Sequence, residues 1–276
     1  MPIQRRNAIK LMAFYAVFAS SPHVFAQGSG LDHSYAGWDA LLQKHVKWLP
    51  DGKQSRMDYR ALAADRAALQ AVLAQWSAVT PAQFATFSRE QQMVFLINAY
   101  NGFTAELILT KYPNLKSIKD AGSLLQSPWK NKFFTLLGEQ RHLDWIEHEQ
   151  LRPNYNDPRV HAAVNCASIG CPALRPDAFT PAKLDAQLTD GMLRFMSDRS
   201  RNRYNAQSGK LEVSAIFKWF REDFEKGQRG FAKLEDVFAF YADQLTNDAA
   251  TRDKLRAKTV SISFLDYDWS LNDTGR

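Results

Sequence analysis

Apolar positions recur along most of the chain at the three- and four-residue spacing of amphipathic helices. Trp38 to Trp48 carries Leu41, Leu42 and His45 on one side and breaks at Leu49-Pro-Asp-Gly52. Tyr59 to Trp76 is rich in Ala and Leu, with Leu62, Leu69, Val72, Leu73 and Trp76 as a core-facing stripe. Thr80-Pro81 opens a short helix, since proline suits the first helical position after a capping threonine. Ser88 with Gln91 forms a capping box and starts the longest helix, which runs to about Lys111 and stops at Pro113. Its apolar face holds Met93, Leu96, Ile97, Tyr100, Leu107 and Ile108.

Asn98 and Asn101 sit one turn apart in that helix, where asparagine is a poor helix former. Their buried amides need partners. They either cap a neighbouring loop or line a site. Lys132–Leu137 and Gln140–Leu143 read as a β-hairpin around Gly138. Asp144 and Glu147 read as a second capping box, starting a short helix that carries His148 and ends by Pro153. Val160 to Val164 reads as a short buried strand. A helix follows Thr180-Pro181, buried through Leu184, Leu188, Met192, Phe195 and Met196.

Arg203–Asn205 and Lys210–Val213 flank Ser208-Gly209 as a hairpin, and Ser214 caps a helix with Ile216, Phe217, Trp219 and Phe220. Phe231 to Leu245 is amphipathic, and Val260 to Leu265 is a closing strand. No repeat, low-complexity tract or linker interrupts this order. The pattern predicts an α+β fold: a mostly helical single domain over residues 38–276 with a small antiparallel sheet.

The first residues follow another logic. Arg5-Arg6 precede the apolar run Leu11 to Ala19 and the small-residue end Val24-Phe-Ala26, which is the order of a cleaved export signal (residues 1–26). Gln4-Arg-Arg-Asn-Ala-Ile-Lys10 resembles a twin-arginine signal, and a general secretory signal fits as well. Residues 27–37 read as a flexible N-terminal segment. Cleavage near Ala26 predicts a periplasmic protein. It also removes three basic residues, so the net charge falls from +6 to +3. The remaining basic residues are scattered, which argues against a nucleic-acid partner. No later stretch is long and apolar enough for a transmembrane helix. The pattern leaves the oligomeric state open.

Candidate chemistry concentrates between residues 147 and 172. His161, Asn165, Cys166 and Cys171 fall within eleven residues, and the cysteines are the only two in the chain. In an oxidising compartment two cysteines commonly pair, so a structural Cys166–Cys171 disulfide is one expectation. The other is a free Cys166 nucleophile with His161 or His148 as base and Glu147 orienting an imidazole. On that reading Asn98, Asn101, Asn165 and Arg159 are the candidate substrate contacts. His148, His161, Cys166 and Cys171 also make a mixed zinc set on paper, but at no usual ligand spacing. No cofactor is otherwise implied. The partner expected is a small-molecule or peptide-like ligand.

Four segments together carry a resemblance: Phe95-Leu-Ile-Asn-Ala-Tyr-Asn101, Ile146-Glu-His148, Arg159-Val-His161 with Asn165-Cys-Ala-Ser-Ile-Gly-Cys-Pro172, and Tyr267-Asp-Trp-Ser-Leu-Asn272. The set, from about Asp58 to Asn272, resembles the domain of unknown function 547 family, which implies a fold family and no activity. A long helix packed on a sheet whose strand carries a histidine is also loosely similar to the transglutaminase and papain-like scaffold. The chain departs from that scaffold because no cysteine precedes His161. The function expected is an exported thiol/histidine hydrolase or acyl transferase acting on an amide or ester. The alternative is a non-catalytic periplasmic binding or envelope-interaction domain pinned by the disulfide.

Overall fold

A computed structural model describes residues 30–123 and 126–275; the expected export signal and residues 27–29 lie outside the described residues. The elements in order are α1 (Ala36–His45), β1 (Val46–Trp48), β2 (Ser55–Met57), α2 (Tyr59–Ala64), α3 (Arg66–Ser77), α4 (Pro81–Ala85) and α5 (Arg89–Leu109). After a loop come β3 (Phe134–Leu136), β4 (Glu139–Arg141), a π-helical turn (Trp145–Leu151), α6 (Arg152–Tyr155) and a 3-10 turn (Pro158–Ala162). The rest comprises α7 (Leu184–Ser197), β5 (Arg203–Asn205), β6 (Lys210–Val213), α8 (Ile216–Trp219), α9 (Arg221–Phe224), α10 (Leu234–Phe240), α11 (Ala242–Leu245), α12 (Ala249–Arg256) and β7 (Ile262–Phe264). Leu31 to Arg276 forms one unit, mostly helical and α+β as the sequence predicts.

Helix α5 is the centre of the first hydrophobic cluster. From Met93 to Leu109 it is buried almost all round, and its start is fixed by the Ser88–Gln91 capping box. Phe95, Ile97 and Ile108 are fully buried. Each such side chain contributes about 1.5–3 kcal/mol of transfer free energy. A second cluster gathers Met192, Phe195 and Met196 of α7 with Phe217, Phe224, Val237 and Phe238. The candidate site lies where elements of these two clusters meet.

Several local expectations are corrected. Val160–Val164 is not a strand. Pro158 and the Asp157 side chain, which accepts from the Arg159 amide, start a 3-10 turn there. Its apolar residues are buried from several sides, which mimics the pattern of an interior strand. Asp144 makes no side-chain cap; the Trp145 amide donates to His142 Nδ1 at 2.9 Å instead. The Tyr59–Trp76 helix breaks at Asp65, whose carboxylate is held by Lys44 and His45 at 2.6 and 2.7 Å. The 231–245 stretch divides at Tyr241 into α10 and α11.

Among the described residues the small antiparallel sheet is divided into three, β1–β2, β3–β4 and β5–β6–β7. The last pair, β6–β7, is parallel. The part of the N-terminal segment from Leu31 onward makes local contacts. Tyr35 is buried, and Asp32 caps this turn by accepting from the Ser34 and Ala36 amides.

The C-terminal segment is a strap along the cysteine loop. Gly170 and Ile169 donate to Asp268 and Ser270 carbonyls, and the Asn272 amide donates to Ala167. Beyond it the Met57 amide donates to Asn272 and Thr274 donates back to Met57. Tyr59 adds a side-chain hydrogen bond to Asn272 at 2.9 Å. Residues about one hundred and more than two hundred apart in sequence are thereby held in register.

Candidate functional site

A hollow of about 160 Å³ opens between the π-helical turn, the cysteine loop, α8 and the C-terminal strap. Pockets that enclose a drug-sized ligand run to roughly 300–1,000 Å³, so this one accepts a single group of a larger molecule. His148, His161, Glu147, Cys166 and Cys171 all line it, as do Tyr100, Trp219, Phe220, Tyr267 and Trp269. The imidazoles and sulfurs expected to converge therefore share one solvent-reachable hollow.

His161 is buried against the face of Phe220, ring centroids 4.1 Å apart. Its Nε2 lies 2.8 Å from Asp223 Oδ2. Burial alone would raise the Asp223 carboxyl, but hydrogen bonds from His161, Arg152 and Lys226 outweigh it and hold it well below the usual carboxylate range. An ionised carboxylate only accepts, so Nε2 carries the proton and donates. Nδ1 is then the basic nitrogen, 3.9 Å from Glu147 Oε1. Burial pushes the His161 imidazole below its ordinary value, against the pull of Asp223. The ring is neutral near pH 7 and ready to take a proton at Nδ1.

Glu147 is buried beside Tyr100 and close to Cys166. Burial, followed by the negative charge Cys166 would carry, pushes its carboxyl up to about 7. The π-helical turn places Glu147 on the inner wall and His148 at the mouth. His148 Nδ1 accepts from Arg152 Nη1 at 2.7 Å, and its Nε2 faces Asp144 at 3.7 Å. His148 belongs to the rim, which adjoins an open groove of about 500 Å³ lined also by Lys130, His142 and Glu149.

Cys166 and Cys171 are free thiols here, so the expected disulfide is not formed in this structure. The Cys166 amide donates to Cys171 Sγ at 3.0 Å. Tyr267 Oη donates to Cys171 Sγ at 3.0 Å and stands 3.2 Å from Cys166 Sγ. The loop between them is held by Asn165, whose Oδ1 accepts from the Ala167 amide and whose Nδ2 donates to Pro172 O. That cap keeps Ala167 at φ +60°, a left-handed conformation costly for any residue with a Cβ.

The four expected substrate contacts have other work. Asn98 brackets Phe179, donating to its carbonyl and accepting from its amide. Asn101 does the same across the turn, to Ala163 O and from Asn165 N at 3.0 and 2.8 Å. Arg159 is paired with Asp157 and Asp185 and donates to Thr189. Among the described residues none of Asn98, Asn101, Asn165 and Arg159 lines the hollow; they fix the loops that build it. Nor is any group of three or more His, Cys, Asp or Glu among the described residues arranged to hold a metal ion.

Asp223, Tyr267, Tyr100 and Phe220 are the residues that sequence reasoning missed. Tyr100 and Tyr267 lay within the resemblance segments 95–101 and 267–272, without a role in the site. The others join the site through packing between elements far apart in the chain.

The comparison with known families bears on this same wall. Residues 84–196 match the family described as a protein of unknown function, DUF547. The DUF547 match is narrower than the resemblance drawn from the motifs, and it holds α5, the π-helical turn, the 3-10 turn, the cysteine loop and α7 as far as Met196. It ends before Asp223, Trp219, Tyr267 and Trp269, so the hollow is closed by residues beyond the DUF547 segment. No curated protein and no solved structure matches this chain. Among the described residues, no helix is long and apolar enough to cross a membrane.

Proposed function

We propose that this chain is an exported thiol/histidine hydrolase or acyl transferase acting on an amide or ester in the periplasm. The observation that carries the reading is that His161, oriented by Asp223, lines the same hollow as two free thiols. A base oriented by a buried carboxylate, beside a sulfur nucleophile, is the arrangement that acyl transfer to a thiol requires. In the first step the thiol proton passes to His161 Nδ1 and the sulfur forms a C–S bond to the substrate carbonyl carbon. Its π electrons move to oxygen. Collapse breaks the bond to the leaving oxygen or nitrogen, which takes the proton from His161. Water then cleaves the thioester, its proton returning through His161, to release the acid and restore the thiol. Transfer to another acceptor follows the same path with an alcohol or amine in place of water.

Ester, thioester and peptide-amide substrates presented to the reduced protein test this. Turnover that is abolished by alkylating the thiols and by His161→Ala supports the reading. No turnover of any class, or turnover indifferent to both treatments, overturns it. A binding-only reading, an envelope domain without catalysis, draws on the aromatic rim. Trp219 is 47% exposed and stacks on Trp269 at 5.7 Å. Ligand retention that persists after alkylation, with no turnover, favours that alternative.

A further inference from the structure

We infer that Cys171, rather than the more exposed Cys166, carries the nucleophilic thiolate of this site, with the Tyr267 hydroxyl and the Cys166 amide as its stabilising donors. The inference deepens the acyl-transfer reading and rests on it for the word nucleophilic; where the charge sits is separable from whether any substrate is turned over.

The argument is a count of protons. Tyr267 has one hydroxyl proton and two sulfurs within reach, and its Oη is the donor to Cys171 Sγ at 3.0 Å. The other sulfur, Cys166 Sγ at 3.2 Å, then faces the oxygen lone pairs, which suits a protonated Cys166 S–H. Cys171 Sγ accepts in addition from the backbone of Cys166, a donor that no side-chain change can remove. Two fixed donors converge on one sulfur, while the neighbouring sulfur meets an acceptor.

A buried positive charge stands behind it. Arg201 is almost fully buried, donates to the Cys171 carbonyl and pairs with Asp198 at 2.7 Å. The other titratable groups facing the pair are Tyr59, Tyr100 and Glu147. All three are shifted toward their neutral forms, which lessens the negative charge that would oppose a thiolate here. The balance follows. Burial would raise the Cys171 thiol, but hydrogen bonds from Cys166 and Tyr267 bring it down to about 7. The contact with Cys171, followed by burial, drives Cys166 upward. Cys171 lines the hollow, so the charged sulfur meets the substrate space. On this assignment Cys171 is the thiol whose proton passes to His161 Nδ1 as the C–S bond forms, His161 later gives that proton to the leaving group, and Cys166 is a positioning residue.

The test uses the full chain kept reduced with a phosphine. Iodoacetamide labels a thiolate by forming a C–S bond and releasing iodide, and fragment ions of the peptide holding both cysteines report which one is labelled. Thiolate ultraviolet absorbance, titrated in Cys166→Ser and Cys171→Ser, reads the same charge without requiring reagent access. We expect first labelling at Cys171, a near-neutral thiolate midpoint kept in C166S, and its loss in C171S. Tyr267→Phe should slow labelling of Cys171 at neutral pH by roughly fivefold, the loss of thiolate that a one-unit rise from a near-neutral midpoint gives. Far-ultraviolet dichroism controls for folding of each variant. First labelling at Cys166, or a near-neutral midpoint that survives in C171S, overturns the assignment. Preferential charge on Cys171 in a protein that turns over no substrate would sink the hydrolase reading and leave the thiolate assignment standing.

Discussion

His161 and Asp223 are 62 residues apart in the chain and 2.8 Å apart in the fold. The carboxylate fixes the tautomer, because an ionised oxygen accepts only, and so the free nitrogen of the imidazole is Nδ1. Phe220 holds the ring from one face, leaving rotation little room. On the acyl-transfer reading, a histidine restrained in this manner exchanges its proton at one defined atom, Nδ1.

Asp223→Asn should lower kcat by roughly 10²- to 10⁴-fold, the range spanned by positioned acid–base groups, while leaving the thiols alkylatable. The amide can present a donor to Nε2 and select the wrong tautomer, as in other histidine–carboxylate pairs. Steady-state kinetics on whichever ester or amide is turned over, with alkylation as the control for an intact thiol site, checks this. Unchanged kcat would remove Asp223 from the chemistry.

Glu147 predicts how stability depends on pH. Its carboxyl is raised from 4.5 to about 7, so the folded state binds a proton that the unfolded state has released. That contribution is complete below about pH 4.5 and disappears as pH climbs through about 7. Glu147→Gln keeps a neutral group at all pH values. It should therefore match the parent near pH 5 and exceed it above pH 8 by on the order of 3 kcal/mol. Urea unfolding at the two pH values measures the difference. Cys171 works in the opposite sense, its contribution being present above the unfolded thiol value and lost as pH falls through about 7, and C171S serves as its control.

Asn101→Ala should cost stability rather than alter specificity. It orphans the buried Ala163 carbonyl and the Asn165 amide, at about 1–3 kcal/mol for each group left unpaired. Asn101→Asp keeps the acceptor and loses the donor, so it should fall between the two. Denaturant midpoints of the three proteins give the order; an unchanged midpoint in N101A would mean that the loop does not depend on this amide.

Gly170→Ala probes the strap. A Cβ there would meet the Tyr267 ring at 2.8 Å, too close for any real contact. The ring must move, carrying its hydroxyl away from the sulfurs. The expected result is a higher midpoint for Cys171 labelling with iodoacetamide, approaching that of Tyr267→Phe. A midpoint equal to the parent's would show that the hydroxyl can hold its place while the ring shifts.

Much of the scaffold was legible in the amino-acid order. The Ser88 capping box, the Thr80 cap before Pro81, the core stripe of α3, the long α5 and both hairpins are local matters, set by side chains three or four residues apart and by turn residues. The cluster of histidine and cysteine around residues 148–171 was also visible, because unusual chemistry is conspicuous in a short span. Its local conformation was misread: Val160–Val164 looked like a strand because burial from several sides produces the same apolar run whatever the backbone does.

Tertiary structure decided the site itself. Asp223 became the partner of His161 only because α9 folds against the 3-10 turn. Tyr267 reached both sulfurs only because the C-terminal strap is hydrogen-bonded along the cysteine loop. Asn98 and Asn101 were legible as buried amides in need of partners, but whether those partners were a ligand or a backbone depended on what packed against α5. Periodicity reports which face of an element is buried, and it carries no information about which distant element buries it. That is why the chain's own order supplied the chemistry-bearing residues, and only the packing of remote segments gave the imidazole its orientation and one of two sulfurs its donors.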